Sequence, residues 1–406
     1  MAGSLDLHDL GQRFGTPLFV YDGDRMKDRL DRLRMAFSPL DTLIAYSVKS
    51  NPNLQILELL VGKGAGADIV SGGELYRALR AGCPPKGIVF AGVGKTVAEM
   101  EMALDAGIRA FHVESEAELE ALAETAKRVG AIAPVGVRAN LDIISPTPHE
   151  YTRTGHLGAK FGVDLDTAAQ LYARALAEPN LEPVGLDVHI GSQIRDIGPF
   201  IEALDGAIRL VDALEAEHGL RLDYIDLGGG YGVSDGVEPD LDVEMLGVQV
   251  QKRFEGRPQS LVLEPGRFIT ADAGCLLTEV LYVKRAAGKT FVITDAGMTE
   301  LIRPSHYGGR HPIAPVVERE GATPEVVDVV GPVCESGDFL ALDRELEVPE
   351  AGDLLWVGTA GAYGFTMASN YNSRPRPAEV LVEDGAARLV RRRETYGDLV
   401  RGELEL

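Results

Sequence analysis

The chain has 406 residues, of which 45% are hydrophobic and 25% charged. This length is too great for one ordinary core and predicts two domains, and the composition is typical of a globular protein. The 62 acidic and 40 basic residues give a formal net charge of −22. Such a field repels nucleic acid and anionic membrane surfaces, so we expect neither as a partner.

The three cysteines, Cys83, Cys275 and Cys334, are too few and too scattered for a disulfide framework, and none forms a C-x-x-C pair. We therefore expect a reducing compartment and no metal. The N-terminal sequence lacks a basic segment followed by an apolar run, and no stretch of about 18 apolar residues occurs. These features predict a cytoplasmic protein.

Eight short apolar runs recur between Thr42 and Gly266, each followed by a turn and a helical pattern. They are 42–49 (TLIAYSVK), 67–71 (ADIVS), 88–92 (IVFAG), 110–115 (AFHVES), 133–140 (APVGVRAN), 184–190 (VGLDVHI), 224–230 (YIDLGGG) and 261–266 (LVLEPG). Apolar strands that alternate with helices indicate a covered parallel sheet, and eight of them match a closed (β/α)8 TIM barrel. A doubly wound open sheet is the alternative.

After Gly274 the helical pattern fades, and runs such as KTFVITDAG and PEVVDVVG alternate apolar and polar residues. This alternation predicts an all-β C-terminal domain. The short run 17–21 (PLFVY) precedes the barrel and is expected to join that domain. We therefore predict a barrel over residues 25–274 and a β domain formed by residues 1–24 with 275–406.

The chemistry of a (β/α)8 barrel lies at the C-terminal ends of its strands. Lys49 ends the first run, where an apolar strand would partly desolvate its amine and so favour imine formation. Taken alone, a lysine after a strand is more often a solvated residue at a helix start. The glycines of DLGGGYGV could cradle a phosphate or form a simple tight turn, and neither nucleotide-binding glycine motif is present.

Glu264, in LVLEPGR, is an acidic residue at the end of an apolar strand. A buried carboxylate needs a cationic or protonated partner, which a protonated pyridine nitrogen or Arg267 would provide. His189, in HIGSQ, could place a flat ring against such a pyridine, or be an ordinary core histidine.

Two further segments carry candidate substrate-binding groups. Arg303 and Tyr307, in LIRPSHYGG, are candidates together with Arg267 for binding carboxylates. Cys334 and Glu335, in GPVCESGD, place a thiol beside a carboxylate. The thiol could donate a proton and the carboxylate could bind an ammonium group, although a buried cysteine is usually inert.

The order of the motifs is more specific than any one of them. The chain contains, in sequence, AYSVKSN, GADIVSGGEL, FAGVGKT, HIGSQ, LGGGYG, EPGR, LIRPSHYG, GPVCESGD and GAYGFTMASNYNSRPRPAEVLV. From about residue 8 to residue 400 the chain resembles the fold type III pyridoxal-phosphate decarboxylases, of the alanine racemase and ornithine decarboxylase-like superfamily. Within them it is most similar to the branch that acts on diaminopimelate.

The resemblance implies pyridoxal 5'-phosphate as cofactor and a role for each matching residue. Lys49 would be the Schiff-base lysine and Cys334 the proton donor. The cofactor would be bound by Lys49, His189, Ser192, Gly229, Gly230, Glu264, Gly266, Arg267 and Tyr363, with His189 stacked on its ring and Glu264 at its pyridine nitrogen. The substrate would be bound by Arg267, Arg303, Tyr307, Glu335 and Tyr363. The resemblance also implies a homodimer in which Cys334 and Glu335 enter the partner's active site.

The expected reaction is the decarboxylation of meso-2,6-diaminopimelate to L-lysine and CO₂. Arg267 and Arg303 beside Glu335 fit a substrate with carboxylates at both ends, whereas ornithine-type relatives usually have aspartate after the cysteine. The alternatives are a decarboxylase of ornithine, lysine, arginine or a specialised amino acid, a non-catalytic barrel protein that binds the cofactor, and a racemase, which Glu264 disfavours. Leu141 replaces a proline common in the family, so the loop after it is where a shifted preference is expected.

Overall fold

The computed structural model describes residues 6–143, 147, 149, 151, 154–156, 158–319 and 323–403. Within these residues the chain divides into two units. One unit contains residues 27–233 and 240–268, and the other contains the described residues up to 26, residues 234–239 and those from 269 onward. The limits 25–274, and 1–24 with 275–406, stay a prediction from the sequence.

The first unit is built on a closed parallel barrel. The chain begins with α1 (Leu7–Phe14), β1 (Leu18–Asp22) and α2 (Gly23–Phe37) before it enters the barrel. The barrel strands are β2 (Thr42–Ser47), β3 (Gly66–Ile69), β4 (Ile88–Phe90), β5 (Ala110–Val113), β6 (Ala133–Arg138), β7 (Leu181–Asp187), β8 (Tyr224–Asp226) and β9 (Ser260–Leu263). The pairing of β9 with β2, which includes Leu261 and Thr42, closes the ring and confirms the predicted barrel over the open sheet.

Helices separate the barrel strands. They are α3 (Leu54–Gly62), α4 (Gly72–Arg80), α5 (Val97–Ala106), α6 (Glu116–Val129), α7 (Leu165–Ala177), α8 (Gly198–His218) and α9 (Val243–Phe254), followed by the short α10 (Arg267–Thr270). Several start on a polar side chain at the end of the preceding strand segment. Ser71 accepts from the backbone N–H of Glu74, and Ser115 accepts from that of Glu118. Such N-caps stabilise a helix by about 1 kcal/mol, so these strand-end serines have a structural role.

The barrel interior is a packed core. Ala45, Val89, Ala110, Tyr224 and Val262 come from five different strands and form one buried cluster. Filling by side chains is typical of an eight-stranded barrel, which leaves the strand ends as the place for chemistry.

The second unit is dominated by β structure. Its strands after the barrel are β10 (Gly274–Ala286), β11 (Lys289–Thr294), β12 (Ile313–Pro315), β13 (Pro324–Val330), β14 (Phe339–Glu347), β15 (Leu354–Val357), β16 (Ala378–Glu383) and β17 (Ala386–Arg391), with short helices α11 (Arg303–Tyr307) and α12 (Tyr396–Leu399). The strand order is β14-β13-β11-β10-β1-β16-β17, with β15 pairing both β10 and β12. Leu18 of β1 lies opposite Leu277 of β10 and Ala378 of β16, so the N-terminal strand is part of this sheet.

Two further points concern membrane-spanning helices and the loop after Leu141. In the described part of the chain, no helix combines the length and the apolar character needed to cross a membrane. The loop after Leu141, where a shifted substrate preference was expected, falls largely on residues 144–146, 148, 150, 152, 153 and 157, which lie outside the described residues.

Candidate active site

Lys49 lies at the C-terminal end of the first barrel strand. β2 ends at Ser47, and Lys49 occupies a single 3-10 turn, Val48–Ser50, directly after it. Its Nζ donates a 2.7 Å hydrogen bond to Oδ2 of Asp68, and its side chain is 36% exposed whereas that of Asp68 is fully buried. The Lys49 side chain is therefore partly exposed, while its charge is held by a buried partner.

Asp68 is a site residue that the sequence reasoning missed. It lies within β3, and Oγ of Ser47 is 2.7 Å from its Oδ2 and 2.9 Å from the carbonyl oxygen of Glu264. The signal was available, because an aspartate inside the apolar run ADIVS must find a partner when the strand is buried. Glu264 was the one buried acid for which the sequence predicted such a partner.

The glycine turn after β8 has no room for side chains. A Cβ atom on Gly229 would lie 2.0 Å from the carbonyl oxygen of Glu264, and one on Gly230 would lie 2.1 Å from that of Gly191. Gly230 also has a φ of 93°, which favours glycine. The turn therefore presents bare backbone at the end of the barrel, as a phosphate cradle requires.

His189 and Ser192 lie against this turn. The backbone N–H of Gly229 donates to Nδ1 of His189 over 3.2 Å. Burial, with Arg138 and Lys49 nearby, lowers the pKa of His189 well below its usual range, so its ring is neutral. Nη2 of Arg267 lies 3.2 Å from Oγ of Ser192. A hydroxyl, a guanidinium and a glycine turn together form a donor set suited to phosphate.

Glu264 belongs to a buried group of carboxyl side chains. Burial, followed by the charges of Asp226, Asp68 and Asp187, raises the pKa of Glu264 well above its ordinary value. Burial also raises the pKa of Asp226, and raises that of Asp187 to about 7. Oε1 of Glu264 makes no hydrogen bond within the described residues. A donor with positive charge would satisfy both the oxygen and the local charge.

Arg138, the last residue of β6, offsets part of this charge. Its Nη1 is 3.3 Å from Oε1 of Glu114, and its Nε is 3.8 Å from Oδ2 of Asp187. All three side chains are buried. This arrangement holds β5, β6 and β7 together by charge at the same end of the barrel as Lys49.

These residues fit pyridoxal phosphate. Lys49 offers an amine, the turn at Gly229 and Gly230 with Ser192 and Arg267 offers phosphate donors, and the unsatisfied Oε1 of Glu264 suits a protonated ring nitrogen. The sequence predicted all of these residues, and the first unit holds them on neighbouring strand ends. Gly266 is there too, where a Cβ would lie 2.9 Å from those of Ser47 and Ser50.

The second unit groups three other predicted residues around a cation. The guanidinium carbon of Arg303 is 5.6 Å from the ring centroid of Tyr307 and 6.0 Å from that of Tyr363. Arg303 and Tyr307 are the two ends of α11, and Tyr363 has an unusual φ of 57°. Two aromatic rings beside an arginine help to hold its guanidinium in place by cation–π contact, and a guanidinium is a group suited to binding a carboxylate.

Cys334 and Glu335 lie in a turn of the same unit. Cys334 is exposed, unlike Cys83 and Cys275. Nδ2 of Asn372 is 3.5 Å from its Sγ, and Glu335 raises the pKa of Tyr371 by its charge. The buried Asp338 anchors the turn by accepting from the backbone N–H groups of Met298 and Val333. Tyr371 and Asn372 had been quoted within a motif but given no role.

The family is shown by comparison with known proteins. The family model described as "Pyridoxal-dependent decarboxylase, pyridoxal binding domain" matches residues 24–271, more than half of the chain. The chain therefore belongs to the pyridoxal-dependent decarboxylases.

Similar proteins define the branch of this family more narrowly. Diaminopimelate decarboxylase of Aquifex aeolicus is 46% identical over 403 residues, covering 99% of this chain and 95% of that protein. Diaminopimelate decarboxylase of Pseudomonas aeruginosa is likewise 46% identical over 403 residues, covering 99% of this chain and 96% of that protein. A crystal structure of the Helicobacter pylori diaminopimelate decarboxylase complexed with L-lysine has a TM-score of 0.93 at 41% identity, covering 97% of this chain and 98% of that one. The predicted branch of the family is confirmed.

Proposed function

We propose that this protein is a pyridoxal-phosphate enzyme that decarboxylates meso-2,6-diaminopimelate to L-lysine and CO₂. The observation that carries the proposal is the joint presence, on one barrel, of the Lys49 and Asp68 pair and the unsatisfied buried Glu264, in a chain similar over nearly its full length to diaminopimelate decarboxylases. The fold of the family and the chemistry of these side chains point to the same cofactor.

In this proposal the barrel residues hold the cofactor. Lys49 would bind it covalently through Nζ, Glu264 would face its pyridine nitrogen, and His189 would pack on its ring. Ser192, Gly229, Gly230, Gly266 and Arg267 would surround its phosphate. Outside the barrel, Tyr363 is proposed to contact the cofactor as well. The bound cofactor supplies an electron sink for the electron pair left behind when CO₂ departs.

The substrate is proposed to be recognised by charge at both ends. Arg303, which lies beside the rings of Tyr307 and Tyr363, would bind one carboxylate, and Arg267 would bind the other. Glu335 would bind the distal ammonium group. A substrate with two carboxylates can bind both arginines, whereas ornithine and lysine, with one carboxylate each, can bind only one of them. This pair of arginines therefore favours diaminopimelate.

Cys334 is proposed to donate the proton that replaces CO₂. Its exposure in a single chain supports a further proposal, that two copies associate and that Cys334 and Glu335 of one copy complete the active site of the other. We also propose a cytoplasmic location, in line with the sequence. A monomeric variant should then keep its cofactor but lose most of its activity.

The substrate is tested by a panel assay. We expect kcat/KM for meso-diaminopimelate to exceed those for ornithine, lysine and arginine by at least about 100-fold, since a carboxylate bound by arginine contributes about 1.5–3 kcal/mol per hydrogen bond. Release of CO₂ mainly from one of the other three amino acids would contradict the proposed substrate and leave the cofactor assignment standing.

A further inference from the structure

Two polar rings meet inside the barrel across a gap made by two glycines. His112, Gly136, Gly185 and Tyr224 form one row across the neighbouring strands β5, β6, β7 and β8. Nε2 of His112 lies 2.8 Å from Oη of Tyr224. A Cβ on Gly185 would lie 2.1 Å from Cζ of Tyr224, and one on Gly136 would lie 2.9 Å from Cδ2 of His112. The two glycines therefore make this hydrogen bond possible.

The protonation of this pair follows from its surroundings. Burial, with the cations Lys95, Arg138 and Arg109, lowers the pKa of His112 to about 3, so the ring is neutral. Burial also raises the pKa of Tyr224 well above its usual value, so its hydroxyl keeps its proton. When the hydroxyl donates to Nε2, the single ring proton of a neutral histidine resides on Nδ1.

Nδ1 of His112 lies near three buried carboxyl side chains of the candidate site. It is 3.8 Å from Oδ2 of Asp187, 3.9 Å from Oε1 of Glu264 and 4.0 Å from Oδ2 of Asp226. These distances are too long for direct hydrogen bonds, so the interaction is electrostatic. An N–H dipole directed at buried carboxyl oxygens favours their ionised form, because little water is present to screen it.

We propose that His112, held in one tautomer by Tyr224, is a positioning residue that keeps Glu264 ionised for the pyridine nitrogen of the cofactor. This inference rests on the proposed function, which assigns Glu264 to that nitrogen. The charged groups around Glu264 have opposite effects on its protonation. The carboxylates of Asp68, Asp187 and Asp226 favour the protonated form, whereas the cations Lys49 and Arg138 favour the ionised form.

Tyr224→Phe tests the role of the hydroxyl, because the ring that packs over Gly185 is kept. We expect the dissociation constant of pyridoxal phosphate from the apoprotein to rise about tenfold over wild type at pH 6.5. The ratio should shrink to within about twofold at pH 9, because a higher pH by itself favours the ionised form of Glu264. The matched control is Tyr172→Phe, which removes another buried hydroxyl, one that donates to the carbonyl oxygen of Gly185 over 2.5 Å. For this control, the ratio of its dissociation constant to that of wild type should not depend on pH.

Two substitutions at His112 separate the donor from the bulk of the ring. His112→Asn places an amide N–H where Nδ1 stands, and should keep the pH dependence close to wild type. His112→Leu removes the donor, and should reproduce the loss seen with Tyr224→Phe. The kcat of the enzyme loaded with cofactor should fall in Tyr224→Phe and His112→Leu. The KM of these two variants for the substrate should change by less than about twofold.

A loss of cofactor affinity equal at pH 6.5 and pH 9, or one shared by Tyr172→Phe and His112→Asn, would overturn the inference and leave only a packing role. Cofactor binding is measured without substrate, so these outcomes decide the role of His112 even if diaminopimelate proves not to be the substrate. Circular dichroism of each apoprotein establishes that the variants fold.

Discussion

Nζ of Lys49 lies 2.7 Å from Oδ2 of Asp68, a carboxylate with no exposed surface. A carboxylate in contact with an amine stabilises the charged ammonium form, whereas the neutral amine is the nucleophile that attacks a carbonyl. Asp68 therefore opposes the first reaction of Lys49 with a cofactor, while it holds the amine at the strand end.

This relationship predicts the effect of Asp68→Asn on cofactor capture. The uncharged amide should leave more of Lys49 as free amine, so the apoprotein should react with pyridoxal phosphate several-fold faster at pH 7, and this difference in rate should shrink as the pH rises. Stopped-flow absorbance gives the rates. Asp328→Asn, which breaks the pair between the buried Asp328 and the exposed Lys289, is the control and should show the wild-type rate. A slower reaction of Asp68→Asn at every pH would refute this account.

The buried Asp187 predicts a dependence of stability on pH. Its pKa is raised to about 7, mainly by burial, so its stabilising contribution is present below the pKa of about 4 in the unfolded chain and is lost as pH rises through 7. Asp187→Asn mimics the protonated group. Relative to wild type, the variant apoprotein should have a nearly equal melting temperature at pH 4 and a higher one at pH 8, by an amount that approaches about 4 kcal/mol. A difference that is constant with pH would contradict the assignment.

The crowded glycine turn predicts a loss of cofactor binding in Gly229→Ala. The new methyl group would lie 2.0 Å from the carbonyl oxygen of Glu264, so the turn must move away from both Glu264 and His189. We expect the affinity for pyridoxal phosphate to fall at least about 100-fold, as measured by titration of the apoprotein. Gly62→Ala serves as the control, because a Cβ there meets nothing within 4 Å. Near-normal affinity of Gly229→Ala would remove the turn from the cofactor site.

Arg303 predicts a selective loss of substrate binding. Arg303→Ala should lower kcat/KM for diaminopimelate by about 100-fold or more, since two charged hydrogen bonds to a carboxylate are lost, while the absorbance of bound cofactor stays intact. Arg285→Ala, at a surface pair with Glu325, should leave kinetics unchanged. Unaltered kinetics of Arg303→Ala would show that the arginine does not contact substrate.

The fold was predictable because its signals are local. Each barrel strand is a short apolar run that a helix follows, and such runs can be counted in the sequence. The exact strand ends were less predictable: β2 ends at Ser47, so that Lys49 belongs to a turn and not to the strand. The pairing of β1 with both β10 and β16 joins segments more than 250 residues apart, which no local pattern specifies.

The site was predictable only in part, for a physical reason. Motif order located Lys49, His189 and Glu264, but their partners depend on which strands are neighbours. Asp68 and Asp226 look alike in sequence, each a lone acid in an apolar run, and only closure of the barrel shows that one bonds Lys49 and the other lies near Glu264. The bond between His112 and Tyr224 joins residues 112 apart and needs two further glycines on the row.

The central claim is tested most directly by adding meso-diaminopimelate to the protein loaded with pyridoxal phosphate and measuring CO₂ and L-lysine together. The account predicts equal amounts of both products, and none from Lys49→Ala. Failure to form either product from meso-diaminopimelate, by a protein that holds its cofactor, would contradict it.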